Sequence, residues 1–183
     1  MAMAQIYMKT EKAAIAKSLR IPNTIYEVTN CNPNHVLLKV LTKNMIMWSK
    51  IVPDDEYVLS HIPEMISKMT NASFAELEDL YGNTQNLENI DYSGIALIYY
   101  NSIAGAIMAL GLKYSGTGDE KVKLLILKYI ALVFKVKTIT SNFVSDKSQQ
   151  GQLDLYNYFN ILCVCTLSLS IVMAGTSDVE CLK

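Results

Sequence analysis

Apolar residues occur on every side of a helical projection between Gly94 and Ser115, and a helix that is apolar all round is buried all round. Small residues recur along this segment and allow close helix packing; they are Gly94, Ala96, Ala104, Gly105, Ala106, Ala109 and Gly111. The following segment, from about Asp119 to Lys135, is amphipathic. Its lysines at 121, 128 and 135 lie nearly in line and predict a solvated face. Together the two segments predict a hairpin of a buried inner helix and an outer helix.

The end of the inner helix recurs elsewhere in the chain. Residues 109–117 align without gaps on residues 168–176 and more loosely on residues 2–10. Gly116 and Gly175 occupy the position where a helix ends in a left-handed conformation, which costs glycine little. The residues predicted to build the repeat turns are Gly111, Tyr114, Gly116, Thr117, Gly175 and Thr176.

Hydroxyl residues beside these turns predict where the next helix begins. Thr117 is followed three residues later by Glu120, and Ser177 by Glu180. This spacing is that of a capping box, in which both side chains bond to backbone N–H groups at the start of a helix. The first copy has Lys9 at the glycine position and lacks the box, so it is the least regular of the three predicted turns.

Prolines divide the chain between the first and second copies. A helix that starts near Glu11 must end before Pro22, because the residue before a proline is pushed out of the α region. Pro33 is suited to the first turn of a helix predicted over roughly 34–49. A shorter helix is predicted over 62–69, so this part of the chain is also helical.

Composition suggests three parts. Residues 1–70 are predicted as a partial repeat with inserted linker helices, residues 71–93 as an acidic loop or insertion, and residues 94–183 as two repeats, the last truncated. Residues 140–152, rich in serine and glutamine, predict a second loop between the last two hairpins. Because each repeat is stabilised by its neighbours, the chain is expected to be a piece of a longer array.

Charge and hydrophobicity narrow the function classes. Sixteen basic residues against seventeen acidic ones argue against an electrostatic nucleic-acid binder. An apolar share of 51% predicts that some apolar surface meets a partner or, in a truncated piece, a second copy. Two apolar segments resemble membrane spans, residues 95–112 and 161–174. A small polytopic membrane protein is therefore an alternative. Polar residues interrupt the first, and the second is shorter than the roughly 20 residues of a span, so no membrane is predicted.

The sequence contains no pattern that indicates catalysis, a cofactor or a metal. His35 and His61 stand apart from any recognisable nucleophile pattern and are predicted to be structural or surface residues. Cys163 and Cys165 fall in an apolar segment, where cysteine behaves as a small hydrophobic residue. The chain is therefore predicted not to be an enzyme.

The repeated motif resembles a known family. Residues 104–106 and 109–117 are similar to the proteasome/cyclosome repeat, with its small-residue inner helix, aromatic residue, glycine and threonine. That repeat occurs in the two large non-ATPase subunits of the proteasome regulatory particle and in the largest subunit of the anaphase-promoting complex. Residues 14–26, 36–38 and 47–53 look like the inserted linker of the cyclosome members.

The resemblance carries its own expectations. It implies part of a closed α-solenoid of inner and outer helices, in a non-catalytic scaffold of a multi-subunit ubiquitin ligase that acts in mitosis. The implied partners are the other subunits of that ligase, in the nucleus and cytoplasm. The proteasome members of the family supply an alternative function, a docking platform for ubiquitin-like domains.

Overall fold

The computed structural model describes residues 2–71, 92–143 and 149–178. The regular elements of these residues are helices, which confirms the all-α prediction; the arrangement as a solenoid stays a prediction. Numbered over the described residues, they are α1 (Ala2–Ile6), α2 (Ala13–Ser18), α3 (Ile25–Thr29), α4 (Pro33–Ile46), a 3₁₀ helix (Trp48–Lys50), α5 (Asp55–Leu59), α6 (Glu64–Asn71), α7 (Tyr92–Lys113), α8 (Glu120–Phe143) and α9 (Gln149–Val172).

The centre of the fold is α7, which packs between α4 and α9. Two glycines permit these close contacts. A Cβ on Gly105 would lie 2.7 Å from the carbonyl oxygen of Leu37, and one on Gly111 would lie 2.9 Å from the Cβ of Ser168. Gly111, predicted as a turn residue, therefore lies at a helix–helix contact before the turn.

The outer helix α8 packs mainly against α9. Its buried hydrophobic residues form a helical stripe, Val122, Leu125, Ile126, Tyr129 and Val133. Lys121 and Lys128 are exposed, as the predicted solvated face requires. Lys128 also forms an ion pair of 2.6 Å with Asp55 of α5, so this face connects to the linker helices as well as to solvent.

The linker is built mostly from short helices, and side chains cap the start of α3, α4 and α5. Pro33 stands at the start of α4, and the side chain of Asn32 accepts the N–H of Asn34 at 3.0 Å. The predicted continuation of α4 to residue 49 is wrong, since the helix ends at Ile46 and a 3₁₀ helix follows. The short helices α3 and α5, which the sequence pattern did not predict, begin at the caps Thr24 and Asp54.

The prediction of a loop over residues 140–152 is wrong at the beginning and at the end of this range. The backbone stays helical to Phe143 in α8 and is helical again from Gln149 in α9, while residues 144–148 lie outside the described residues. Composition misled here because glutamine is a good helix former even in a polar segment. The predicted acidic loop over 71–93 also lies outside the described residues, except for Asn71 in α6 and the first residues of α7.

One described segment, Gly94–Lys113 in α7, is long and apolar enough to cross a membrane, and 83% of the apolar window is buried inside the structure. The core helix of a globular array has the same length and composition. The burial of α7 between α4 and α9 accounts for its apolar character without a membrane.

Candidate interaction site: the turns that join successive inner helices

Three turns in the described residues share one backbone conformation. The first, second and third turns have left-handed residues at equivalent positions, with φ of 58° at Lys9, 67° at Gly116 and 81° at Gly175. Two residues further on, the backbone is left-handed again, at Glu11 (56°), Gly118 (61°) and Ser177 (56°). The first copy, whose sequence matches least well, therefore adopts the same turn even though it lacks the glycines.

Each turn is closed by a threonine. The hydroxyl groups of Thr10, Thr117 and Thr176 donate to carbonyl oxygens three residues earlier, at 2.8, 2.7 and 2.7 Å. Their backbone N–H groups donate to the same oxygens. Each threonine thus donates two hydrogen bonds to one carbonyl oxygen, which is a physical reason for threonine at this position of the repeat.

The first turn bonds to the end of the linker helix α4 and the second turn to the end of the inner helix α9, through two backbone hydrogen bonds each. Between the first turn and α4, Lys9 and Glu11 donate N–H bonds of 2.9 and 3.1 Å to the carbonyl oxygens of Met45 and Ile46. Between the second turn and α9, the corresponding bonds run from Gly116 to Ile171 at 2.9 Å and from Gly118 to Val172 at 3.0 Å. The last carbonyl groups of a helix have no partner within it, and these hydrogen bonds supply one.

The joint between α4 and α7 is made differently. The ammonium group of Lys113, the last residue of α7, donates to the carbonyl oxygens of Trp48 at 3.2 Å and Ile51 at 2.7 Å. At the neighbouring first turn, the backbone N–H of Ser49 donates to the carboxylate of Glu11 at 2.8 Å. Side chains therefore hold together the place where the linker interrupts the repetition.

The second and third turns are also joined electrostatically. Lys123 of α8, whose side chain is 4% exposed, forms ion pairs with Asp178 at 2.7 Å and Glu120 at 3.3 Å. A Cβ on Gly118 would lie only 2.7 Å from the Cγ2 of Thr176.

The hydroxyl group of Tyr114, in the second turn, titrates at a higher pH than a free tyrosine. Desolvation, with the nearby charge of Asp119, raises the pKa of Tyr114.

The predicted capping box of the second turn is wrong. Asp119 caps α8 by accepting the N–H of Val122 at 3.1 Å. Thr117 instead donates its hydroxyl group within the turn and accepts the N–H of Asp119 at 3.3 Å. The left-handed residue Gly118 stands between them and delays the start of the helix. In the other predicted box, Glu180 lies outside the described residues.

Sequence reasoning missed several residues of these joints. Gly118 was not assigned a role, and neither were Glu11 or Lys113. Extending the gap-free alignment of the three copies by one residue would have placed Glu11, Gly118 and Ser177 in register. No sequence signal identified Lys113, because its acceptors are carbonyl groups brought near by packing.

The two histidines, His35 and His61, are the first candidates for catalysis. His35 is exposed, and His61 is buried with its ring nitrogens 2.7 Å from the carbonyl oxygen of Tyr57 and 2.9 Å from the side-chain oxygen of Asn44. Burial lowers the pKa of His61 to about 4, so the ring is neutral at pH 7. Within the described ranges, no group of three or more His, Cys, Asp or Glu residues is arranged to hold a metal ion.

The two cysteines of α9 differ in exposure. Cys165 is buried and Cys163 is exposed. Burial raises the pKa of the Cys165 thiol to about 12, and a thiol that stays protonated is a poor nucleophile. Cys165 therefore acts as a small apolar residue in the contact between α7 and α9.

Comparison with known proteins identifies the repeat. The family model described as the APC1 fifth domain matches residues 1–183. The chain belongs to this family. Anaphase-promoting complex subunit 1 of Arabidopsis thaliana is 30% identical over 187 residues, covering 98% of this chain. The Homo sapiens subunit of the same name is 30% identical over 183 residues, covering 100% of it.

A third relative, named "Negative regulator of mitosis", comes from Emericella nidulans and is 27% identical over 177 residues, or 97% of this chain. The chain spans about a tenth of the length of these relatives, 10%, 9% and 8% in turn. The predicted membership of the cyclosome branch of the proteasome/cyclosome repeat family is confirmed. The proteasome and membrane-protein alternatives are not supported, since the APC1 family model covers the whole chain.

Proposed function

We propose that the chain is a non-catalytic scaffold segment of the anaphase-promoting complex, in which it holds other subunits of this cell-cycle ubiquitin ligase in place. The backbone hydrogen bonds between the turns and helices α4 and α9 carry this proposal. They tie the first turn to α4 and the second turn to α9, so each turn is fixed to the helix that packs beside it. The proposed compartment is the nucleus, with a cytoplasmic fraction.

Rigid spacing is what a scaffold needs. The helix α7 packs between α4 and α9, and its contacts through Gly105 and Gly111 are too close to admit a Cβ. Repeat arrays derive their stability from such nearest-neighbour interfaces. The inner helices therefore set the positions of the outer helices, and exposed side chains on those helices are available to partners.

A test of the proposal separates scaffold function from chemistry. In the complete subunit, Gly118→Val should loosen the second joint and reduce co-purification of the other subunits severalfold. Ser115→Ala, an exposed position of the same turn, is the control and should leave assembly unchanged. Normal assembly and ligase activity with Gly118→Val would contradict the proposal.

A second arm tests for catalysis. His35 and Cys163 are exposed, and they are the candidates for acid–base or nucleophilic chemistry that can be replaced without disturbing the core. We expect His35→Gln with Cys163→Ser to leave ligase activity within about twofold, because removal of a general acid or base costs roughly 10²–10⁴-fold. A loss in that range with intact assembly would refute the non-catalytic role.

A further inference from the structure

The helices α1, α4, α7 and α9 end in the same way. Their last residues are Ile6, Ile46, Lys113 and Val172. Three of these residues are equivalent in the gap-free alignment of the three copies, whereas α4 belongs to the linker and has no place in that alignment. Counting from the end of the helix gives each residue after α4 a counterpart in the three turns.

The first hydrogen bond after α4 is the same as in the three turns. In each case the residue that follows the helix donates its backbone N–H to the carbonyl oxygen four residues earlier. In the linker this donor is Met47, at 3.0 Å. The donors in the turns, at 3.0, 2.9 and 3.0 Å, are Tyr7, Tyr114 and Met173.

The second hydrogen bond is shared as well. The fourth residue after each helix donates its backbone N–H to the carbonyl oxygen three residues earlier, in the linker from Lys50 to Met47 at 3.0 Å. The donors in the turns, at 3.1, 3.2 and 3.1 Å, are Thr10, Thr117 and Thr176. Lys50 therefore stands at the threonine position, but it has no hydroxyl group for the additional bond that each threonine makes.

The end of α4 also receives the hydrogen bonds that the end of an inner helix receives. The last two residues of α9 accept backbone N–H groups from the second turn, and the last two residues of α4, Met45 and Ile46, accept them from the first turn. The helix α7 packs between α4 and α9. In hydrogen bonding and in packing, α4 therefore occupies the place of an inner helix.

The helices that follow each turn pack in one consistent order. After the first turn α2 contacts α4, after the linker turn α5 and α6 contact α7, and after the second turn α8 contacts α9. Ala16 of α2 is buried together with Ile46 and Met47 at the end of α4. Each outer segment thus packs against the inner helix that follows it, as expected when every unit of an array contacts the next.

One part of the pattern is replaced in the linker. The first and second turns donate from residues with a positive φ, whereas the corresponding linker residues, Ser49 and Ile51, do not have a positive φ. Lys113, the last residue of α7, instead donates its ammonium group to the carbonyl oxygens of Trp48 and Ile51. The linker turn also lacks the glycine and threonine of the motif, so the sequence alignment does not reveal it.

From these observations we infer that residues 33–71 form a further repeat unit, with α4 as its inner helix and α5 and α6 as its outer helices. The linker then interrupts the repetition of the sequence but not that of the structure, and Lys113 replaces the missing backbone bonds of this turn. The inference goes beyond the proposed scaffold function, because it concerns how the chain stacks whether or not other subunits bind.

The test places the missing threonine in the linker turn of the 183-residue chain. Lys50 is exposed, and Lys50→Thr should add a hydroxyl bond to the carbonyl oxygen of Met47. Lys50→Val is the matched variant of the same shape without the hydroxyl group. One hydrogen bond changes an equilibrium constant by roughly two- to tenfold. We therefore expect the unfolding constant, measured in urea, to be lower for the threonine variant than for the valine variant by this factor.

Two controls bracket the result. Thr10→Val removes the corresponding hydroxyl bond from the first turn and should raise the unfolding constant by a similar factor. Lys121→Thr and Lys121→Val, on the exposed face of α8, should not differ measurably, since threonine and valine have similar helix propensities. Circular dichroism checks that every variant is folded.

Hydrogen exchange shows where the added bond acts. We expect exchange to slow around the linker turn in Lys50→Thr relative to Lys50→Val. Equal stability of the two Lys50 variants, an equally large difference between the two Lys121 variants, or slower exchange confined to another part of the chain would overturn the inference. These measurements are independent of ligase assembly, so their outcome does not depend on the proposed function.

Discussion

At the scale of single residues, the turns show two separate reasons for glycine. Gly116 has a φ of 67° but open space where a Cβ would stand, whereas Gly118 has a φ of 61° and a Cβ there would meet Thr176. Lys9 and Glu11 adopt the same left-handed conformation with full side chains. The conformation itself is therefore tolerated at a cost, and the collision at Gly118 is an additional constraint.

These two glycines allow a matched comparison. Gly116→Ala should lower the free energy of unfolding by about 1 kcal/mol, the cost of a left-handed conformation for a residue with a Cβ. Gly118→Ala should lower it by more, because Thr176 must also move. Urea unfolding of both variants, with Ser115→Ala as the unchanged reference, measures the difference. Equal effects of the two glycine variants would show that the contact with Thr176 relaxes freely.

At the scale of elements, one lysine supplies the hydrogen bonds between the end of α7 and the segment after α4. The ammonium group of Lys113 bonds to two carbonyl oxygens of the segment after α4. At the first and second turns, backbone N–H groups donate the corresponding hydrogen bonds. A long flexible side chain can reach across a gap that the backbone of an interrupted repeat does not close.

We expect Lys113→Met to lower the free energy of unfolding by about 1–3 kcal/mol, because it leaves partly buried carbonyl groups without their charged donor. Methionine keeps a similar length and apolar stem, so the lost bonds should dominate. Lys121→Met, at an exposed position of α8, is the control. Hydrogen exchange should rise around the 3₁₀ helix in the Lys113 variant alone, and unchanged exchange there would contradict the assigned role.

At the scale of the whole molecule, apolar side chains remain exposed on α9. Tyr156 is 66% exposed and Leu167 is 51% exposed. The inner helix α7 has neighbours on two sides, α4 and α9. The exposed face of α9 is where a further neighbour would lie in an array, so it is also where two copies of the chain would associate.

Self-association should therefore depend on this face. We expect Leu167→Lys to shift the sedimentation of the chain toward monomer at high protein concentration, with little change in unfolding free energy because the side chain is half exposed. Leu124→Lys, on α8 and 59% exposed, is the matched control with the same change on another surface. If both variants or neither reduced association, the α9 face would not be the contact.

The sequence by itself determined the helical class, the inner helix α7 and the repeat that places the chain in its family. These follow from local patterns: the apolar periodicity, the glycine and threonine spacing, and the prolines of the linker. Boundaries set by weak local preferences were less well predicted, as the helical residues on both sides of 144–148 and the early end of α4 show.

Tertiary structure alone decided how the repeats are joined. The carbonyl groups that accept from Lys9, Gly116 and Gly118 are remote in sequence, and which carbonyl lies opposite an N–H group depends on how the inner helices stack. The same holds for the reach of Lys113, whose acceptor carbonyl groups belong to the segment after α4. A linear pattern records what each residue prefers locally, whereas hydrogen bonds between distant segments form only after packing has brought their partners together.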